Sequence, residues 1–218
     1  MNFFIGIPVL LFSVTIHEVS HGFIAEKRGD PTAKIAGRLT LNPIAHLDLF
    51  GSIIFPLLLV IARSPFVFGW AKPVPVNFYN LINPKKDMIL VAIAGPVSNF
   101  LLGFICAIFL RILNMSLFLP LFILQLLVKI FVYGIIINTI LGVFNLIPIP
   151  PLDGSRIVMG LLPYPYSSSF SRLEPYGIFI FLFLFALGII NVIMNIPVNI
   201  MLKFFEFISG GAPLKAIL

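Results

Sequence analysis

F-F-I-G-I-P-V-L-L-F-S-V-T-I-H-E-V-S-H-G-F, residues 3–23, lays an apolar run and a polar motif on one helix. From Phe3 to about Ala25 the stretch is long enough to cross a bilayer. Yet it carries His17, Glu18 and His21, and ionisable groups inside a span are costly to keep and mark functional sites. On a helix, residues four apart lie one above the other, so both imidazoles reach one metal ion. Glu18 is turned about 100° from His17 by the 3.6-residue period. That puts it beside the metal, where a base takes a proton from water. At ~1.5 Å per residue, His17 is ~20 Å from the start of the helix and ~10 Å from its other end, inside the bilayer but within reach of water. The blander reading, two histidines satisfying polar groups inside a bundle, must bear the cost of that burial without a task for the charge.

Composition agrees with a membrane protein. Of the 218 residues, 60% are hydrophobic and only 10% charged, against about a quarter charged in a soluble domain. The net charge of +6 points to cytoplasmic loops and lipid headgroups, because no basic patch with interleaved aromatics suggests nucleic acid. The single cysteine, Cys106, excludes an internal disulfide and a cysteine-built zinc site, and it reads as a packing residue. The N-terminus has neither a basic start nor a small-residue cleavage site, so it reads as a retained helix rather than a signal peptide.

The expected fold is an all-α polytopic membrane protein with about four full transmembrane helices. A re-entrant or extended segment and short interfacial helices complete it. The first span covers Phe3–Ala25, the second about Met88–Leu113, the third ends at Ile147, and the last runs Tyr176–Ile196. The start of the third is open: either Lys129 snorkels from a long tilted helix, or the span begins after it and Leu117–Val128 lies at the interface. The tail after the last span is compatible with the membrane surface. Lys27, Arg28, Lys34 and Arg38 follow the first helix, and Lys85 and Lys86 precede the second span. The positive-inside rule makes both linkers cytoplasmic. Residues 48–84 must therefore leave and return on one side, the short apolar piece being re-entrant or extended. Pro73 and Pro75 favour extended backbone in the Gly69–Val76 stretch. Irregular backbone at membrane depth implies a cavity.

A hydrolytic zinc needs a third protein ligand and an open position. His46, Cys106 and eight carboxylates are available, and His46 reads as a polar loop residue. Asp153 stands out, because Pro148, Pro150 and Pro151 prevent a regular helix before it and Gly154 permits a turn after it. The alternative for Asp153 is a cap on the helix that follows. Asn99 and Asn138 are expected to hydrogen-bond between helices.

The pairing of H-E-V-S-H (residues 17–21) with N-L-I-P-I-P-P-L-D-G (145–154), with A-G-P-V-S-N-F (94–100) between, resembles the site-2 protease family of intramembrane zinc metalloproteases. The resemblance extends over most of residues 1–200 and is closest to the compact prokaryotic type, without PDZ or CBS domains. It implies one zinc ion per chain held by His17, His21 and Asp153, with Glu18 as catalytic base. It also implies that Asn145 positions the substrate or the oxyanion. The expected activity is a metalloendopeptidase cutting transmembrane or membrane-adjacent protein segments, with residues 1–218 forming one integral-membrane domain. The active site would face the cytoplasmic side of the cell membrane. The competing class is a metal transporter or channel with the same ligands, which would require further sites and carboxylates on other spans. No oligomeric state is implied.

Overall fold

Ser13, His17, His21 and Ala25, four apart, are buried along one side of α1 (Phe3–Lys27), while Phe4, Phe12 and Phe23 are exposed. A helix apolar all round turns its small and polar residues toward its partners, because hydrocarbon offers no hydrophobic reward for burying the large ones. The computed structural model describes residues 3–63, 69–114, 119–211 and 214.

After α1 come the single turn α2 (Thr32–Ile35), a π-helical turn (Leu49–Ile54) and α3 (Phe55–Ile61). The long helices α4 (Pro84–Asn114) and α5 (Leu121–Asn145) follow, then α6 (Asp153–Leu161), α7 (Tyr166–Ser171), α8 (Gly177–Ala186) and α9 (Ile189–Ile208). Among the described residues there is no strand, and five stretches are long and apolar enough to cross a membrane. These are Phe4–Lys27, Pro84–Leu113, Leu121–Asn145, Tyr166–Ala186 and Ile189–Ile208. The all-α membrane class expected from the sequence is what the structure has.

Helix α4 is the centre of the bundle, packing on α1, α5, α6 and α9, while α1 also packs on α5. Leu110 of α4, Val132 and Ile135 of α5, and Leu202 and Phe205 of α9 form one buried cluster. Ile147, Leu152, Phe181 and Ile190 form a second, which seats the chain break after α5 against α8 and α9.

One boundary differs from expectation, and one left open is decided. The last span is not one helix ending at Ile196: it divides at Gly188, whose φ of 74° is open to glycine without strain, and α9 continues to Ile208. The residues read as a surface tail are therefore partly helical. The third span runs unbroken from Leu121 with Lys129 exposed, so the long-helix alternative holds; residues 117 and 118 of the interfacial alternative lie outside the described residues.

Residues 48–84 go out as the Leu49–Ile61 helical piece and come back, from Gly69 to Asn77, as backbone that is neither helix nor strand. The return is tied to the outward limb by Trp70 N–H donating to the Gly51 carbonyl (3.1 Å) and Lys72 N–H to the His46 carbonyl (2.9 Å). Its far end is held by Asp30, which is fully buried. The Asp30 carboxylate accepts from Asn77 N–H (2.7 Å), the Asn80 amide (2.9 Å), Thr32 N–H (3.1 Å) and the Thr32 hydroxyl. Burial acts to raise its pKa, but these donors outweigh it and hold the carboxyl below the usual aspartate range.

A depressed pKa stabilises the fold above the unfolded value and loses that contribution as the pH falls through the folded one. Asp30→Asn should therefore lower stability at pH 7 by about 2 kcal/mol, the scale of hydrogen bonds to a charged group. In thermal unfolding of detergent-solubilised protein, the gap between parent and variant should narrow as the pH drops below about 3.9.

Candidate active site

The side chains of His17 and His21 point from α1 toward α4 and are 6% and 8% exposed. Their Nε2 atoms are 3.0 Å apart, and the Asp153 Oδ2 is 3.2 Å from each. Asp153 arrives from a different part of the chain. Helix α5 ends at Asn145, and the prolines that follow break the backbone. Leu152 occupies the N-cap of α6, so Asp153 is its first helical residue and makes no capping bond, which removes the helix-cap alternative. Gly154 lets this turn press on α5: a Cβ there would lie 2.3 Å from the Leu146 carbonyl oxygen and 2.5 Å from that of Ile147. Any side chain at 154 would push Asp153 off the histidines.

The tautomers follow from the partners. His21 Nδ1 lies 2.7 Å from the Val91 carbonyl oxygen, which can only accept, so Nδ1 carries the proton. His17 Nδ1 donates to Asn99 Oδ1 at 2.6 Å. With both rings neutral, as metal binding requires, each turns an Nε2 lone pair toward the other and toward a carboxylate, whose buried Oδ2 has no hydrogen-bond partner. Three acceptors converging in a buried space repel unless a cation sits among them. Room exists because position 95 is glycine: a Cβ on Gly95 would fall 2.4 Å from His21 Nε2 and 2.6 Å from His17 Nε2. Val91, Gly95 and Asn99 are spaced by four on α4. One face of that helix thus supplies a carbonyl to one histidine, space between the two, and an amide to the other. The donor set, two imidazole nitrogens and one oxygen, suits zinc with an open position. Among the described residues, His17, His21 and Asp153 form the one such cluster.

The open side faces a cavity of 680 Å³ lined by Glu18, Asn145, Trp70, Val74 and Arg156, among others. Glu18 Oε2 accepts the Val74 N–H at 2.8 Å. Val74 sits between Pro73 and Pro75, so this is the single backbone donor of the P-V-P stretch, and it goes to the glutamate. Asn145 ends α5 at the cavity wall, with its amide donating to the Leu141 carbonyl at 3.0 Å. Arg156, one turn after Asp153, lies over the Phe78 ring at 4.6 Å.

His46 is buried away from this cluster, with its Nε2 donating to the Thr40 carbonyl at 2.9 Å, and Cys106 packs against Gly134. Sequence reasoning passed over Gly95, the Val74 donor and Arg156. The small residue in A-G-P-V-S-N-F and the lone N–H between two prolines were the signals to be read. Gly95→Ala should abolish stoichiometric zinc binding, measured by metal analysis of purified protein. Helix α4 itself should persist, since the clash falls on the tips of two side chains and alanine favours a helix over glycine by about 1 kcal/mol.

The model of Peptidase family M50 matches residues 122–188. The chain is 43% identical over 183 residues to a Bacillus subtilis protein named "Putative zinc metalloprotease YwhC", covering 81% of this chain and 77% of that one. It is 29% identical over 161 residues to "Zinc metalloprotease MJ0392" of Methanocaldococcus jannaschii, covering 72% of this chain and 34% of that one. No solved structure matches. With its apolar spans and its His/Asp centre, the chain belongs to peptidase family M50, as a multi-pass membrane zinc metalloprotease.

Proposed function

We propose that the protein is an intramembrane endopeptidase that hydrolyses peptide bonds in transmembrane or membrane-adjacent segments of other proteins. Residues 1–218 act as one domain in this reading. The observation that carries it is the meeting, at 3.0–3.2 Å, of two histidine nitrogens from the membrane-spanning α1 with the Asp153 carboxylate from α6, with Glu18 on the same cavity. His17, His21 and Asp153 are the zinc ligands. Zinc supplies Lewis acidity, which makes water at the site acidic enough to serve as a nucleophile near pH 7.

Glu18 takes the proton of the attacking water and later delivers it to the leaving amine. The Val74 N–H holds one carboxylate oxygen, so the other is free to face the water. Asn145, at the cavity wall, stabilises the developing oxyanion with its amide. A helical substrate must unwind first, because its carbonyls are shielded by their own hydrogen bonds. The Gly69–Val76 segment lines the cavity and offers an edge for the unwound strand. Within it the N–H groups of Trp70, Lys72 and Val74 and the carbonyls of Trp70 and Lys72 are already engaged, and Pro73 and Pro75 have no donor, so pairing falls to the remaining backbone groups.

In this reading the end of the bundle that carries Lys27, Arg28, Lys34, Arg38, Lys85 and Lys86 lies at the cytoplasmic face of the cell membrane, which the positive-inside rule supports. A transport pathway would require successive sites, and a single cluster among the described residues favours chemistry over passage.

Glu18→Gln is expected to retain zinc and fold while slowing cleavage of a model transmembrane substrate on the order of a thousandfold. Asp153→Ala should lower zinc content as well as activity. Cleavage by Glu18→Gln at the parental rate would refute the assignment. Scrambling Lys72–Val76 should also suppress cleavage, both through the lost edge and through the loosened Glu18; unchanged rates would remove the segment from the mechanism.

A further inference from the structure

Asn99 is fully buried midway along α4, and Asn138 on α5 and Ser13 on α1 are 2% and 1% exposed. We propose that Asn99, kept in one orientation by Asn138, sets the tautomer of His17 and thereby determines whether the site can take zinc. The inference rests on the reading of His17 as a ligand.

A side-chain amide can turn over, exchanging its oxygen and nitrogen. In the orientation present, Asn99 Oδ1 accepts the His17 Nδ1 proton at 2.6 Å. Turned over, Asn99 would offer N–H to Nδ1, the ring's single proton would sit on Nε2, and that proton would point into the centre and bar a cation.

Two backbone carbonyls prevent this. The Asn99 amide nitrogen faces the Ser13 carbonyl at 3.4 Å and Asn138 Oδ1 at 2.8 Å. Asn138 is itself fixed, because its nitrogen donates to the Gly134 carbonyl at 2.8 Å and the Ser13 hydroxyl at 2.9 Å. Carbonyls only accept, so each amide has one self-consistent orientation. The information passes from the backbones of α1 and α5, through two amides, to a ring nitrogen. Burial keeps water from competing at any step. His21 needs no relay, since the Val91 carbonyl holds its Nδ1 proton directly.

Asn138 does not touch His17 in this chain of bonds, which makes it the informative position. Apo-protein is titrated with zinc against a chromophoric chelator, for the parent, Asn138→Leu, Asn99→Asp and the double variant Asn99→Asp/Asn138→Leu. Thermal unfolding without metal is recorded alongside. Asn138→Leu removes the shorter of the two restraints on the Asn99 amide, leaving only the 3.4 Å contact with the Ser13 carbonyl, and should weaken zinc binding about tenfold, the usual cost of losing a partner of a metal-bound histidine. Aspartate at 99 has an accepting oxygen on both sides and no orientation to lose. The double variant should therefore bind zinc far more tightly than Asn138→Leu alone.

A purely structural role for Asn138 would carry the same loss into both backgrounds. That result, or parental affinity in Asn138→Leu, overturns the proposal. If Asn138→Leu yields no folded protein, Asn99→Asp and Asn99→Leu decide: retention of zinc in the first and its loss in the second supports the relay, and equal affinities overturn it. A parent protein that takes up no zinc would overturn the ligand reading and this inference together.

Discussion

With both imidazoles neutral, two ring nitrogens and a carboxylate oxygen present lone pairs to one another across 3.0–3.2 Å in a buried space. Such an arrangement is unfavourable by itself, and a low-dielectric surrounding makes it more so. Much of the structure serves to impose it. Proton placement by Val91 and Asn99 turns both Nε2 atoms inward, Gly95 leaves the space between them, and the proline-broken turn brings in Asp153. The binding energy of a divalent cation then opposes the repulsion, so metal binding and bundle geometry are coupled.

The position of α4 explains how one centre can draw on so many elements. It touches α1, α5, α6 and α9, and its Val91–Gly95–Asn99 face lies against the histidines. In hydrocarbon, helices associate through close packing and interhelical hydrogen bonds rather than through apolar burial. The Asn99–Asn138–Ser13 contacts therefore join α4, α5 and α1, and the same network reaches His17.

The return of residues 69–77 serves two masters. Asp30 holds its end at Asn77 and the outward limb holds Trp70 and Lys72. Between these anchors, Val74 places its N–H on Glu18. In the proposed mechanism the segment that meets an unwound substrate thus also grips the base, so substrate docking and base alignment would act on one piece of backbone.

The sequence alone determined the membrane class, because apolar runs of spanning length leave few other folds. It determined His17 and His21 as a pair, because helical spacing is local and needs no tertiary knowledge. Asp153 was readable as a candidate from its prolines and glycine, yet its meeting with the histidines depends on contacts between residues more than a hundred positions apart. The break at Gly188, the space at Gly95, the Val74 donor and the contacts of Asn99 with His17 and Asn138 were decided only by tertiary structure. Each depends on which face of one element meets another, and a helix apolar on all sides carries no periodic signal that says which face that is.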